Sequence, residues 1–286
     1  MIHLKGISKS YNNQYALHDI NETIKENTIV GLVGANGAGK TTLMKIIAGH
    51  LFSSDGEVTL DKTYSDYSNI CLLSDNETLL ENYSLKEILG FLPEYYPNFD
   101  KKLAIQLADL LNINIKKSFS KLSKGQKGKF NIVIALSSRA YITLLDETYI
   151  SLDAPSRHQF FDLLLEDYRI FPRTIIISTH YIDEVNRLFD DIMVLDKGKV
   201  IVHEEKDLLE EKCMTIMGPT EMGDQILSEY NIIHKEMIGK RTLYSVYDDI
   251  SSIEKTLIQN NLEISITPLE KWFIHLIQDK GVIAND

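Results

Sequence analysis

Cysteine is scarce: the chain has two, Cys71 and Cys213. Each lies in an apolar stretch, with no second Cys or His at metal-ligand spacing. That argues against a disulfide framework and a structural zinc site, and makes a reducing compartment the expectation. Cationic excess is also missing. Lys and Arg number 30 against 41 Asp and Glu, a net charge of −11. Nucleic-acid binding and adsorption to an anionic membrane surface both need a cationic footprint, so neither is expected. Long apolar runs are lacking too; no stretch approaches the roughly 20 residues that span a bilayer. The opening MIHLKGISKSYNN has no apolar core of the kind a secretory leader needs, so none is expected. What is present is 44% hydrophobic and 25% charged over 286 residues. That composition and length fit one large globular domain or two modest ones.

Apolar, β-branched strands alternate with helical patterns through the first two thirds. TIVGLVG (28–34), YITLLD (141–146) and RTIIIST (173–179) read as buried strands. TTLMKIIAG (41–49) has helical spacing and a glycine stop, and DIMVLDKGKVIVHEE (191–205) reads as a hairpin turning at Lys197-Gly198. Uniformly apolar strands separated by helices predict a mostly parallel sheet covered on both faces. Between residues 82 and 122 the pattern turns helical, in SLKEILGFL and KKLAIQLADLLNI, with a break expected at 93–97. A charged linker, KDLLEEK, is expected at 206–212. Beyond it the order strand, helix, two strands, helix, strand predicts a small ferredoxin-like α+β unit. A last helix, LEKWFIHLI, follows Pro268, with Trp272 and Phe273 expected to pack into a core or a protomer contact.

The strongest local signal is Gly34-Ala35-Asn36-Gly37-Ala38-Gly39-Lys40-Thr41-Thr42. It fits GxxxxGK[ST], follows an apolar strand and opens a helix, which is the context of a phosphate-binding P-loop. Glycines let backbone N–H groups approach a phosphate, and the helix N-terminus adds partial positive charge. Lys40 reaches the β- and γ-phosphate oxygens, and the Thr41 hydroxyl is a Mg²⁺ ligand. The strand at 141–146 ends in Asp146-Glu147. Beside a P-loop, Asp146 is placed to hold Mg²⁺ and Glu147 to act as general base on an attacking water.

Leu122-Ser123-Lys124-Gly125-Gln126, just before the helical run KFNIVIALSSR, narrows the choice among nucleoside triphosphatases. It resembles the LSGGQ signature of ATP-binding cassette (ABC) ATPases. The order of motifs is similar too: P-loop, helical insert, signature, acidic strand, then His180 after the strand RTIIIST. Ser151-Leu152-Asp153 resembles the family's D-loop, and Tyr11 in SKSYNNQYAL the aromatic that stacks on adenine. The resemblance covers residues 1 to about 205. It implies ATP and Mg²⁺ as cofactors. Tyr11, Asn36, Gly37, Gly39, Lys40, Thr41, Thr42, Ser123, Gly125, Gln126 and Asp153 are implied at the nucleotide, and Glu147, His180 and Lys40 at the catalytic step. Thr41, Asp75 and Asp146 are implied at the metal.

Three positions depart from the family pattern. Lys124 stands for a glycine, with an expected loss of freedom at positive φ. Thr148-Tyr149 stands for Pro-Thr after the catalytic Glu. The Mg²⁺-ligating glutamine is replaced, by Asp75 or, if the alignment slips, by Glu77.

The implied fold is an α/β P-loop cassette over residues 1–205, with a helical subdomain at about 82–135. Residues 206–286 are expected to be a C-terminal accessory or dimerisation domain. The family pairs two ATPase subunits head to tail, so a homodimer or a heterodimer with a related subunit is implied. A separate integral membrane permease is implied as well, placing the chain on the inner, cytoplasmic face of the cell membrane. The overall pattern resembles single-cassette exporters of peptides or drugs. Alternatives within the superfamily are an iron–sulfur assembly ATPase and a regulatory cassette with weak hydrolysis. Lys40 and Ser123 are 83 residues apart, too close for the coiled coil of the DNA-repair type.

Overall fold

The computed structural model describes residues 1–61, 69–74 and 82–278. The chain divides into two compact units. One is Met1–His180 with Leu188–His203; the other is Tyr181–Arg187 with Glu204–Asp286.

The first unit opens with strands β1 (Ile2–Tyr11), β2 (Gln14–Ile24) and β3 (Ile29–Val33), then helix α1 (Lys40–Ile47), β4 (Asp55–Leu60) and β5 (Ile70–Ser74). Helices α2 (Leu85–Tyr95), α3 (Lys101–Leu110) and α4 (Lys124–Ser137) follow. After them come β6 (Ile142–Asp146), α5 (Ala154–Ile170), β7 (Thr174–Thr179), α6 (Ile182–Val185), β8 (Asp191–Asp196) and β9 (Lys199–Glu205). Of these, α6 belongs to the second unit.

Six strands form one sheet in the order β5-β6-β7-β3-β8-β9. Its pairs β5–β6, β6–β7, β7–β3 and β3–β8 are parallel. Every residue of β3, β6 and β7 is buried, as strands covered on both faces require. β3 is the switch point: the chain returns to one side of it as β7 and to the other as β8. Ligands in open α/β sheets bind at the carboxyl ends of strands beside such a point.

A second, antiparallel sheet, β2-β1-β4, was not expected from the sequence. Its alternation is broken by register shifts between Leu4 and Ile7, Ile7 and Lys9, and Lys9 and Ser10, which scramble the period-two signal. Ile2, Leu4, Ile7, Leu17 and Ile20 from this sheet join Leu43, Met44 and Ile47 of α1 in one core.

The helical insert is well capped. Ser84 and Glu87 form a capping box on α2, and Asp100 accepts from the Leu103 N–H at the start of α3. The break expected at 93–97 comes later than the sequence indicates. Pro93 lies in the last turn of α2, which runs on to Tyr95.

In the second unit the segment KDLLEEK is no linker. It is helix α7 (Lys206–Lys212), anchored by the fully buried Leu209 and by a Lys212–Glu204 ion pair. β10 (Cys213–Pro219), α8 (Thr220–Ile226), β11 (Ile232–Ile238), β12 (Arg241–Tyr247), α9 (Glu254–Gln259), β13 (Glu263–Ile266) and α10 (Leu269–Gln278) complete it. The sheet order is β11-β12-β10-β13, antiparallel throughout. Ile216, Leu227, Tyr244, Val246 and Leu257 form its own core. Trp272 and Phe273 are buried, with Trp272 edge-on to Tyr247 at 5.3 Å. Both cysteines are buried and free, and burial pushes the Cys213 thiol up, away from reactive thiolate.

The base of the first unit holds a buried ion cluster. Asp167 of α5 takes Arg139 Nη1 at 2.5 Å and Arg173 Nη1 at 2.8 Å. Arg173 is 1% exposed and also donates to the Thr143 hydroxyl at 3.2 Å. Burial lowers the Arg173 pKa and the Asp167 charge opposes it. Removing the carboxylate strands a buried guanidinium. Asp167→Ala is therefore expected to cost about 3–5 kcal/mol, read by urea unfolding of the full chain, with Asp167→Asn losing less.

Candidate functional site

β3 ends at Val33, and the chain turns at once into the P-loop. Gly34 N–H donates to the Thr179 carbonyl at 3.3 Å, tying the loop to the end of β7. Gly39, at φ 111°, is the N-cap of α1. A Cβ there would lie 2.6 Å from the Ala16 carbonyl oxygen. Gly37, at φ 83°, faces open space. The loop's back rests on the β8–β9 turn, where Gly198 N–H donates to the Ala38 carbonyl at 3.0 Å. Sequence reasoning assigned that hairpin no role; its signal is the Lys197-Gly198 pair, both at positive φ.

Lys40 is 5% exposed. Its Nζ donates to the carbonyls of Gly34 at 2.7 Å and Ala35 at 3.2 Å, and stands 3.4 Å from Glu147 Oε1. The Thr41 hydroxyl donates to Asp146 Oδ2 at 2.7 Å. The other carboxylate oxygen, Oδ1, accepts from Ser178 Oγ at 2.7 Å. Ser178 Oγ also accepts the Glu147 N–H at 3.1 Å. Ser178 is thus a positioning residue that sequence reasoning missed. Its only signal is a hydroxyl inside an apolar strand, which pairs with Asp146 through the β6–β7 register.

Glu147 sits at φ 54°, a left-handed conformation uncommon for a residue other than Gly, Asn or Asp. Its Oε1 lies 3.0 Å from His180 Nδ1. Lys40, Thr41, Asp146, Glu147 and His180 therefore converge where β3, β6 and β7 end. Ala16, Asn36, Gly37, Gly39, Lys40, Thr41, Thr42 and Glu147 line one cleft. Thr41 and Asp146 offer hard oxygen donors at a helix N-terminus. That set suits Mg²⁺, an ion that takes few protein ligands and completes its shell with water and phosphate.

Ser123 and Asp153 are elsewhere in the same unit and both cap helices. Ser123 and Gln126 form a capping box on α4. Asp153 caps α5 and accepts from Ser156 N–H at 2.8 Å; hydrogen bonds from the Ser156 side chain and then its backbone hold the carboxyl below the usual range. Lys124 is the first residue of α4, so the expected loss of freedom at positive φ does not arise. Gly128 lets α4 approach the Ser151–Asp153 segment: a Cβ there would lie 2.5 Å from Ser151 Oγ, whereas one on Gly125 would meet the Ser151 carbonyl at an ordinary contact distance of 3.4 Å. Tyr11 is at the end of β1, half exposed, with Lys9 Nζ 5.4 Å from its ring centre, and is not among the residues lining the cleft. Asp75 and Glu77 lie outside the described residues.

Comparison with known proteins accords with this geometry. The family profile described as ABC transporter matches residues 17–149. A dimeric ATP-binding cassette in a post-hydrolysis state, bound to ADP and Pi, superposes with a TM-score of 0.64 at 24% identity, covering 72% of this chain and 99% of its own. The chain carries an ABC transporter ATP-binding cassette. Two relatives align over most of its length. The methionine import ATP-binding protein MetN of Lactobacillus johnsonii is 26% identical, over 93% of this chain and 82% of its own. The Nod factor export ATP-binding protein I of Rhizobium johnstonii is 27% identical, over 96% and 94%. As an ABC cassette, the chain is an ATPase that uses ATP with Mg²⁺. No described helix is long and apolar enough to cross a membrane.

Two of the P-loop glycines, Gly37 and Gly39, separate conformation from collision. Gly37→Ala meets only the left-handed backbone penalty of about 1–2 kcal/mol. Gly39→Ala adds a collision with main chain at the cassette's N-cap. It is expected to lose measurable ATP binding in titration calorimetry, while Gly37→Ala keeps it with reduced affinity.

Proposed function

We propose that this ABC ATPase energises export of a peptide or drug-like substrate through a separate integral membrane permease, acting as a homodimer or with a related ATPase subunit. The observation that carries the catalytic part is the Glu147 carboxylate, held at φ 54° between Lys40 and His180 beside the Thr41–Asp146 pair.

Chemistry follows from that arrangement. The P-loop N–H groups and Lys40 hold the β- and γ-phosphates. Glu147 takes a proton from water as its oxygen bonds to the γ-phosphorus and the bond to the ADP oxygen breaks. His180 steadies the Glu147 carboxylate. Thr41 and Asp146 hold Mg²⁺, which supplies positive charge to the phosphate oxygens.

Each chain carries one P-loop and one signature segment, and Ser123, Gly125, Gln126 and Asp153 serve a nucleotide on the opposing protomer in this reading. Residues 1–205 carry the nucleotide chemistry. Residues 206–286 are an accessory, dimer-stabilising domain in this reading; their separate core supports the division into domains. Tyr11 stacks on adenine, and the Asp75 region takes the glutamine's place at the metal. The alignment with the Nod factor export protein, over 96% of this chain and 94% of its own, supports the export reading. The site of action is then the inner face of the cell membrane, by way of the permease.

Glu147→Gln should bind ATP within a few-fold of wild type and hydrolyse it at least about a hundredfold more slowly. Equal turnover in the two proteins would overturn the catalytic reading. Diluting the wild-type chain through dimer dissociation should lower specific activity. A permease captured from detergent-solubilised membranes and reconstituted with the chain in vesicles should move labelled peptide away from the ATPase-bearing face. Movement toward that face would make it an importer.

A further inference from the structure

Tyr149 is one of the positions where the sequence departs from the family pattern, and it has a definite place. It is fully buried two residues beyond Glu147. Its hydroxyl donates to Thr179 Oγ1 at 2.5 Å, and its ring stands edge-on to Phe161 of α5 at 5.4 Å. Thr179 is the last residue of β7, fully buried, and directly precedes His180. The Thr179 carbonyl accepts the Gly34 N–H of the P-loop.

Two side-chain links therefore lie on either side of the Glu147–His180 pair. Ser178 joins Asp146 and the Glu147 N–H on the near side. Tyr149 and Thr179 join the far side. Between them Glu147 is held in a left-handed turn that an L-residue leaves unless its surroundings over-determine it. A proline after Glu147 would fix its own φ and restrict the residue before it. Thr148 supplies no such ring, so the turn is held by tertiary contact.

We propose that Tyr149 is a positioning residue for hydrolysis. Its hydroxyl locks the turn after Glu147 to the end of β7 and so fixes the Glu147 carboxylate against His180. The inference rests on the assignment of Glu147 and His180 made under Proposed function. Tyr149 touches neither nucleotide nor water in this role. Its effect therefore falls on kcat and not on nucleotide affinity: the Thr179–Gly34 bond that reaches the P-loop is main chain, and removing the Tyr149 hydroxyl leaves it in place.

The test uses the full chain and four variants: Tyr149→Phe, Thr179→Val, the double variant, and Glu147→Gln. Tyr149→Phe keeps the ring packing and removes one hydroxyl. It is expected to lower kcat about tenfold or more, as small misplacements of a catalytic group do, with KM for ATP within twofold and thermal unfolding within a few degrees of wild type. Thr179→Val should give a similar loss from the other side of the bond, and the double variant should lose no more than either single one. Wild-type kcat in Tyr149→Phe, losses that multiply in the double variant, or a fall in kcat matched by a rise in KM overturns the proposal. If Thr179→Val fails to fold, Tyr149→Phe alone decides by its split between kcat and KM. Hydrolysis by Glu147→Gln at the wild-type rate overturns the underlying assignment instead. An inactive Glu147→Gln beside a fully active Tyr149→Phe removes this inference alone.

Discussion

The Asp146 carboxylate is gripped by two hydroxyls at 2.7 Å, Thr41 Oγ1 from the helix after the P-loop and Ser178 Oγ from the neighbouring strand. That one group joins three elements at their functional ends: α1, β6 and β7. Around it every neighbouring position is fixed by backbone pairing. Asp146 lies opposite Ser178 and Val33 opposite Thr179 in the parallel register. A slip of one residue in either pair would turn these side chains to the wrong face. Wholly buried strands resist such slips, because a polar strand end displaced into the core would be unpaired. The apolar runs of β3, β6 and β7 thus do more than fill a core: they set the lateral spacing of Lys40, Asp146, Glu147 and His180.

The parts of this site carried by contiguous residues were legible in the sequence. GANGAGKTT, Asp146-Glu147 and His180 each follow a strand whose apolar run is visible without partners. What the sequence hid was contact between distant segments. Ser178 reads as one more residue of RTIIIST until the register places it against Asp146. Gly198 reads as an ordinary hairpin glycine until its N–H meets the Ala38 carbonyl. The β2-β1-β4 sheet was obscured by its own bulges, and α7 by the charges around a single buried leucine. Charged residues cover the exposed side of a short helix as readily as they fill a linker, so composition could not separate the two.

The departures from the family pattern do not carry equal weight. Lys124 occupies a right-handed helical position behind a capped serine, where glycine's conformational range is not needed. Replacing it with lysine therefore asks nothing of the backbone. Thr148-Tyr149 is different, because the turn it follows contains the left-handed Glu147. Thr148 and Tyr149 are both buried, and the only route to a stable turn is through what they touch. The same turn meets α4, where Gly128 brings the helix against Ser151 and Leu152. The start of α4, the Ser151–Asp153 segment and the turn at Glu147 are in this way consecutive surfaces of one packed corner.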